Sequence, residues 1–327
     1  GHLLHLTKSK EETGAEYSIC IMSGNFVQRG NTSIVNKWVK TEMALKSGID
    51  LVLELPTVYS ISSAENFANG AIKILDSLKI VDSFAFGAEA NDLATLNNIA
   101  NVLNEEPKGY TNILNHELKK GISYPAAREN AIMMYLNDIK RYANVMGNPN
   151  NILAVEYLKA LKNQKSKLTP IMIKRQKVYY NEHRIVDGYA SATGIRELLK
   201  NKEYSDVSKV VPRSTYQILG QQANNGRMIL SLDKYQKEII YALRKMTVEE
   251  IAELPDVSEG LENSIKNAAN NCNNLTELIN GIKSKRYTQT RIQRILIYAL
   301  LGINKKMMEN SKKIIPYTVV IGAAIPT

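Results

Sequence analysis

The spacing of apolar and polar positions changes character near residue 200. Before it, short apolar runs alternate with helical stretches. Glu16 to Met22 (EYSICIM) predicts a buried strand, Trp38 to Ser47 a helix, and Asp50 to Leu55 (DLVLEL) a second strand stopped by Pro56. From Ala64 to Leu78 apolar residues recur three and four apart, the period of an amphipathic helix. Asp82 to Phe86 (DSFAF) is a third strand ending in Gly87. Leu93 to Leu161 is mostly helical, Leu168 to Lys174 returns a strand, and Ala192 to Leu199 a helix. Strands alternating with helices indicate βαβ units and a parallel sheet.

After Asn201 the pattern is helical. Helices are predicted over Val207 to Val211, Leu232 to Lys245, Thr247 to Leu254, Gly260 to Asn270, Leu275 to Ile282 and Thr290 to Leu301. The expected architecture is therefore an α/β, Rossmann-like domain over residues 1–200 and an α-helical domain over 201–313. The tail 314–327 carries an apolar run, Tyr317 to Ile325, that suits a buried parallel strand. There is no repeat at a fixed period and no low-complexity tract.

Composition narrows the class. With 44% hydrophobic and 23% charged residues the chain is of ordinary globular type. No run approaches the roughly 18 apolar residues of a membrane span, and the mixed opening GHLLHLTKSKEE is not a secretory signal. Cys20 and Cys272 stand in no paired motif, which excludes a disulfide framework and a thiolate metal site and fits a reducing cytoplasm. A net charge of +10 points to a polyanionic partner. Lys and Arg concentrate in the second half, whereas Gly48 to Glu106 is nearly neutral or acidic.

In open α/β sheets ligands sit beyond the carboxyl ends of the strands. There the sequence places Ser23-Gly24-Asn25-Phe26-Val27-Gln28-Arg29-Gly30, then Gly87-Ala88-Glu89, then Arg175. Small residues admit a close backbone approach, and guanidinium groups fit phosphate or carboxylate. Ser191, Thr193 and Arg196 open a predicted helix, where hydroxyls and free N–H groups suit an anion. Each residue alone has a plainer role as cap, turn or surface cation; together they point to a phosphate-bearing ligand. His2 and His5 lie one turn apart without a supporting His or Cys cluster, so no metal site is expected. In the helical half Lys283, Lys285, Arg286, Arg291 and Arg294 surround Tyr287, a set suited to an RNA backbone with a stacking partner; the plainer alternative is a solvated helix face.

An ordered set of segments then resembles a known family. GHLLHLTKSKEETGA, SGNFVQRG, SGIDLVLELP, SAENFANGA, FGAEA, ISYPAAR, NPNNILAVEYLKAL, PIMIKR, YASATGIR and RYTQTRIQR resemble the bacterial tRNA(Met) cytidine acetate ligases, in order, from Gly1 to about Lys313. The resemblance implies ATP-dependent activation of acetate to acetyl-adenylate, with Mg²⁺ assisting. Transfer of the acetyl group to N4 of the wobble cytidine of elongator tRNA(Met) follows. It also implies a nucleotidyltransferase core with an HxGH motif. Gly1 and His2 match the last two positions of that motif, and His2 and Arg29 are the implied catalytic groups. ATP is expected at Gly1, His2, His5, Ser23, Gly24, Gly87, Asn150 or Asn151, Arg175, Ser191, Thr193 and Arg196. The tRNA is expected at the basic set around Tyr287.

Two departures bear on this expectation. The family has a strand and an NPFHN-type segment, with the first His of HxGH, ahead of the position of Gly1; the sequence reads as lacking them, which would weaken ATP binding. Thr318 to Ile325 is expected to fill the place of that first strand. Two other readings stay open: a nucleotidyltransferase acting on a small phosphorylated metabolite, and a noncatalytic RNA-binding relative.

Overall fold

The computed structural model describes residues 1–175, 190–258, 260–284 and 287–324. Among them are seven strands: β1 (Ile19–Ser23), β2 (Phe26–Val27), β3 (Asn31–Thr32), β4 (Leu51–Leu55), β5 (Ser83–Ala88), β6 (Thr169–Lys174) and β7 (Val320–Ala323). The chain folds into two compact units that interleave along the sequence across the expected break at residue 200. One holds Gly1–Glu16 and the described residues from Ala68 to Ser191; the other holds Tyr17–Phe67 and those from Ala192 onward.

In the first unit β5 and β6 pair in parallel, Ser83 opposite Thr169 through to Ala88 opposite Lys174. The Pro149–Asn163 helix covers them, with Tyr157 meeting Phe84 edge to face at a centroid distance of 4.8 Å. The Leu93–Glu105 helix starts at Asp92, whose side chain accepts from the Thr95 amide. It buries Leu96, Ile99, Ala100 and Leu103 on one stripe. The Ala64–Leu78 helix does the same with Ala68, Ala71, Ile72 and Leu75. Each large apolar side chain fully removed from water contributes about 1.5–3 kcal/mol. The three- and four-residue spacing therefore decides which helix face turns inward.

In the second unit β1 and β4 pair in parallel, Ile19 opposite Leu51 through to Ser23 opposite Leu55. β4 carries much of the sheet's burial: Val52, Leu53 and Leu55 are all at most 1% exposed. The helices after residue 230 bury a common core that includes Ile239, Leu243, Ile265, Leu278, Leu296 and Ile297, with Ile61 set into it. Tyr298, fully buried, donates its hydroxyl to the Ile61 carbonyl at 3.0 Å, and the Tyr59 hydroxyl donates to the Ser311 carbonyl.

Several features differ from the sequence reading. The apolar tail forms no buried parallel strand; β7 pairs antiparallel with the edge of β4 opposite β1. Its pattern explains this, because Ile321 is buried while Val319 and Val320 are 50% and 59% exposed. That is the one-sided profile of an edge strand, not of one covered on both faces. The β2–β3 hairpin and the Thr57–Ser60, Arg213–Asn224 and Lys305–Lys313 helices were not foreseen. β5 runs through Gly87 to Ala88, beyond its expected end. The nearest unforeseen capping signal is Asn304, whose side chain accepts from the Met307 amide.

Candidate active site

In the first unit the carboxyl ends of β5 and β6 bring several of the expected residues together. The Arg175 amide donates to the Ala88 carbonyl at 2.9 Å, so Arg175 leaves β6 directly beside the exit of β5. Gly87 lies against it: a Cβ there would stand 3.3 Å from Arg175 Cγ and 3.6 Å from His5 Cδ2. A side chain there would press on the Arg175 stem by a few tenths of an ångström, whereas the φ of Gly87 is unexceptional. His5 reaches this spot from the His2–Thr13 helix, which starts at Gly1 with no side-chain cap. Burial, with the Arg175 charge adding to it, lowers the His5 pKa, partly offset by its hydrogen bond to the Phe86 backbone. The ring is held neutral beside a permanent cation. His2 occupies the first turn of the same helix and is exposed.

The Asn150-Asn151 pair follows Pro149, which sits at the start of its helix where a missing N–H costs nothing. The two amides do different work. Asn151, 1% exposed, accepts from the Glu89 and Ala90 amides at 2.8 and 3.0 Å and donates to the Val145 carbonyl. Asn150 donates to Glu89 Oε1 at 2.5 Å, and Arg175 Nε meets the same oxygen at 3.3 Å. Glu89, outside the expected site set, is thus the hub that fixes Asn150 and Arg175. Its Oε2 is buried with no hydrogen-bond partner among the described residues. The sequence signal was its place two residues after Gly87 at a strand end.

The second unit holds Ser23, Gly24 and Arg29. Lys40 donates to the Ser23 and Gly24 carbonyls at 2.6 and 3.0 Å, clamping the exit of β1. Gly24 lies so close to Glu54 that any side chain there would overlap its carboxylate, which Lys37 pairs at 2.6 Å. Asn25 accepts from the Lys37 amide at 2.9 Å, at the start of a helix whose cap is Asn36. Burial lowers Lys40 to about 8, while nearby Cys20 and Glu54 oppose the shift. Burial raises the Cys20 thiol. Lys40 and Glu54 were missed because each reads, alone, as an ordinary charged residue.

Ser191 immediately precedes the Ala192–Lys200 helix and Thr193 is in its first turn. Arg196 is engaged inside its own unit, donating to the Leu230, Thr32 and Ile229 carbonyls at 2.6, 2.7 and 3.5 Å. It ties two backbone segments, at Thr32 and at Ile229–Leu230, to its own helix. Gly30, with φ +72°, packs on the Arg294 amide at a distance that leaves no room for a side chain.

The basic set around Tyr287 is largely occupied. Arg291 donates to the Asp256 carbonyl at 2.6 and 2.9 Å and to Ser258 Oγ at 2.9 Å, and lies 4.8 Å over the Tyr287 ring. Arg294 grips the Asp256 carboxylate at 2.9 and 3.0 Å. Lys283 is exposed; Lys285 and Arg286 lie outside the described residues. No group of three or more metal-ligating side chains occurs among the described residues.

Arg175, the Asn pair and a close-approach glycine at the ends of the parallel β5 and β6 suit a nucleotide phosphate. The HIGH Nucleotidyl Transferase family model matches residues 1–324. A tRNA(Met) cytidine acetate ligase of Thermoanaerobacter pseudethanolicus is 47% identical over 309 residues, 94% of this chain and 76% of that protein. The crystal structure of apo Thermotoga maritima TmcAL superposes with a TM-score of 0.90 at 33% identity, covering 96% of this chain and 75% of that one. A second form of it, bound with alpha-thio ATP, gives 0.87 at 32% identity, covering 95% and 74%. With a family model matched over nearly the whole chain and a relative 47% identical over 94% of it, the chain belongs to the HIGH nucleotidyl transferase family and, within it, to the tRNA(Met) cytidine acetate ligases.

Proposed function

We propose that this chain is an ATP-dependent ligase that acetylates N4 of the wobble cytidine of elongator tRNA(Met). The observation that carries the reading is the likeness to the ligase of Thermoanaerobacter pseudethanolicus over 94% of the chain. The ATP analogue bound to the Thermotoga maritima neighbour supports the nucleotide.

The chemistry divides into two steps. An acetate oxygen attacks the α-phosphorus, a P–O bond forms, and the bond to the β-phosphate oxygen breaks, releasing pyrophosphate with the electron pair. The cytidine N4 then attacks the acetyl carbonyl carbon, AMP departs, and N4 sheds a proton. Both steps build charge on phosphate oxygens, and preorganised donors lower its cost. Arg175 and His5 are assigned to the phosphates, with His2 and Arg29 as further donors. Gly87 admits the nucleotide, and Asn150 and Asn151 hold the loop that shapes its seat. Gly1, Ser23, Gly24, Ser191, Thr193 and Arg196 complete the assigned set, Arg196 by fixing backbone. Mg²⁺, carried by the triphosphate, would neutralise the charge of the leaving pyrophosphate. No helix among the described residues is long and apolar enough to cross a membrane, and a cytoplasmic setting goes with tRNA as substrate.

The test is ATP, labelled acetate and tRNA(Met) incubated with the chain. Label that stays with the cytidine nucleoside after enzymatic digestion of the tRNA, with one pyrophosphate released per acetyl transferred, is expected. Pyrophosphate release driven by a phosphorylated metabolite instead of acetate would replace this reading with the metabolite-transferase one.

A further inference from the structure

The helical bundle spends most of its described guanidinium groups on itself. Arg291 and Arg294 hold Asp256 and Ser258, and Arg244 donates to the Ala269 and Cys272 carbonyls at 2.7 Å each. Lys266 is likewise spent, on the Leu243, Arg244 and Met246 carbonyls that end the Gln236–Lys245 helix. One face of that helix is different.

The helix buries Ile239, Ile240 and Leu243. On its other side Lys237, Tyr241 and Lys245 follow at four-residue spacing, which sets them in one stripe. Lys234 stands one turn earlier, in the Leu232–Tyr235 turn. Tyr241 is 68% exposed, a large aromatic left in water. The side chains of Lys234, Lys237 and Lys245 are exposed and make no ion pair or hydrogen bond with any described residue. The acidic neighbours are few. Asp233 is bonded to Ser231, Glu250 accepts from the Thr247 amide, and Glu238 and Glu249 stand beside the stripe.

We propose that this stripe is an RNA-contact surface, with Tyr241 stacking an unpaired base and Lys234, Lys237 and Lys245 meeting the flanking phosphates. Two of the cations stand about 12 Å apart along the helix axis with the ring midway. A solvated helix face accounts for lysines alone, but not for a bare ring placed between them. Unpaired loop bases stack on such rings, and lysines neutralise the backbone on either side. The inference rests on the tRNA-modifying reading and adds to it where the RNA is gripped.

Binding of tRNA(Met) to the full chain, measured from 50 to 200 mM salt, tests it. Lys237→Ala with Lys245→Ala is expected to weaken binding about tenfold and to reduce the log–log salt slope by about 2. Tyr241→Ala is expected to weaken binding by on the order of tenfold with the slope unchanged, and Tyr241→Phe to restore it. All four side chains are exposed, so melting temperatures should match and report that folding is intact. Wild-type affinity and slope in the lysine variant, or wild-type affinity in Tyr241→Ala, overturns the surface while leaving the ligase reading standing. Absence of tRNA binding by the unaltered chain overturns both.

Discussion

A single missing methyl group shapes the seat proposed for the nucleotide. Gly87 faces Arg175 and His5 at distances where a Cβ would press on the guanidinium stem by a few tenths of an ångström. Gly87→Ala is therefore expected to raise the KM for ATP about tenfold, a loss of about 1.4 kcal/mol, with the melting temperature little changed. Steady-state pyrophosphate release reads this directly. Lys40 makes a second prediction. Because burial lowers its folded pKa to about 8 from 10.5, the unfolded chain binds more protons between those values. Stability should rise across that window by on the order of 3 kcal/mol, and the rise should vanish in Lys40→Met. Urea denaturation at pH 8, 9 and 10 checks it; parallel curves for the two proteins would count against a buried, proton-shedding Lys40. At this scale the sequence exposed Gly87 and Arg175 by their places at strand ends, while the Asn pair came from the family resemblance and lies at a helix start. It hid Glu89, Lys40 and Glu54, whose roles come from partners distant in sequence: Asn150 lies 61 positions from Glu89, and Lys37 lies 17 from Glu54.

Among elements, the turn at Asp256 organises the helical bundle. Its carbonyl and carboxylate hold Arg291 and Arg294, and its φ is +65°, a conformation aspartate tolerates better than most side chains. Asp256→Ala should cost about 2 kcal/mol, from strain and from a mostly buried Arg294 left without its carboxylate. Asp256→Asn, which keeps the turn and an acceptor, should cost less than half of that. Thermal denaturation of the two variants decides it; equal losses would mean that backbone strain is not part of the cost. The helical period was readable wherever one stripe is apolar, as in Ala64–Leu78, while the Arg213–Asn224 helix, with only Ile218 and Leu219 buried, gave little pattern to read. β7 was read with the wrong pairing because an apolar run fixes neither direction nor edge. Only the alternation of buried Ile321 with exposed Val320 does that, and it depends on what lies beneath.

Across the whole molecule, a net charge of +10 and a nucleotidyltransferase core meet in one chain. The charge alone pointed to a polyanion without saying which of its cations stay in water. Long-range attraction of this kind raises association rates and fades with salt, so tRNA capture should weaken steeply between 50 and 200 mM salt. The central claim is narrower than charge: that acetate, activated by ATP, ends on cytidine N4. The most direct measurement is digestion of tRNA(Met) to nucleosides after incubation with ATP and labelled acetate, followed by mass analysis of the cytidine fraction. The account predicts N4-acetylcytidine that depends on ATP and on acetate together. Unmodified cytidine in the presence of all three substrates, from a chain that binds tRNA(Met) and ATP, would contradict it.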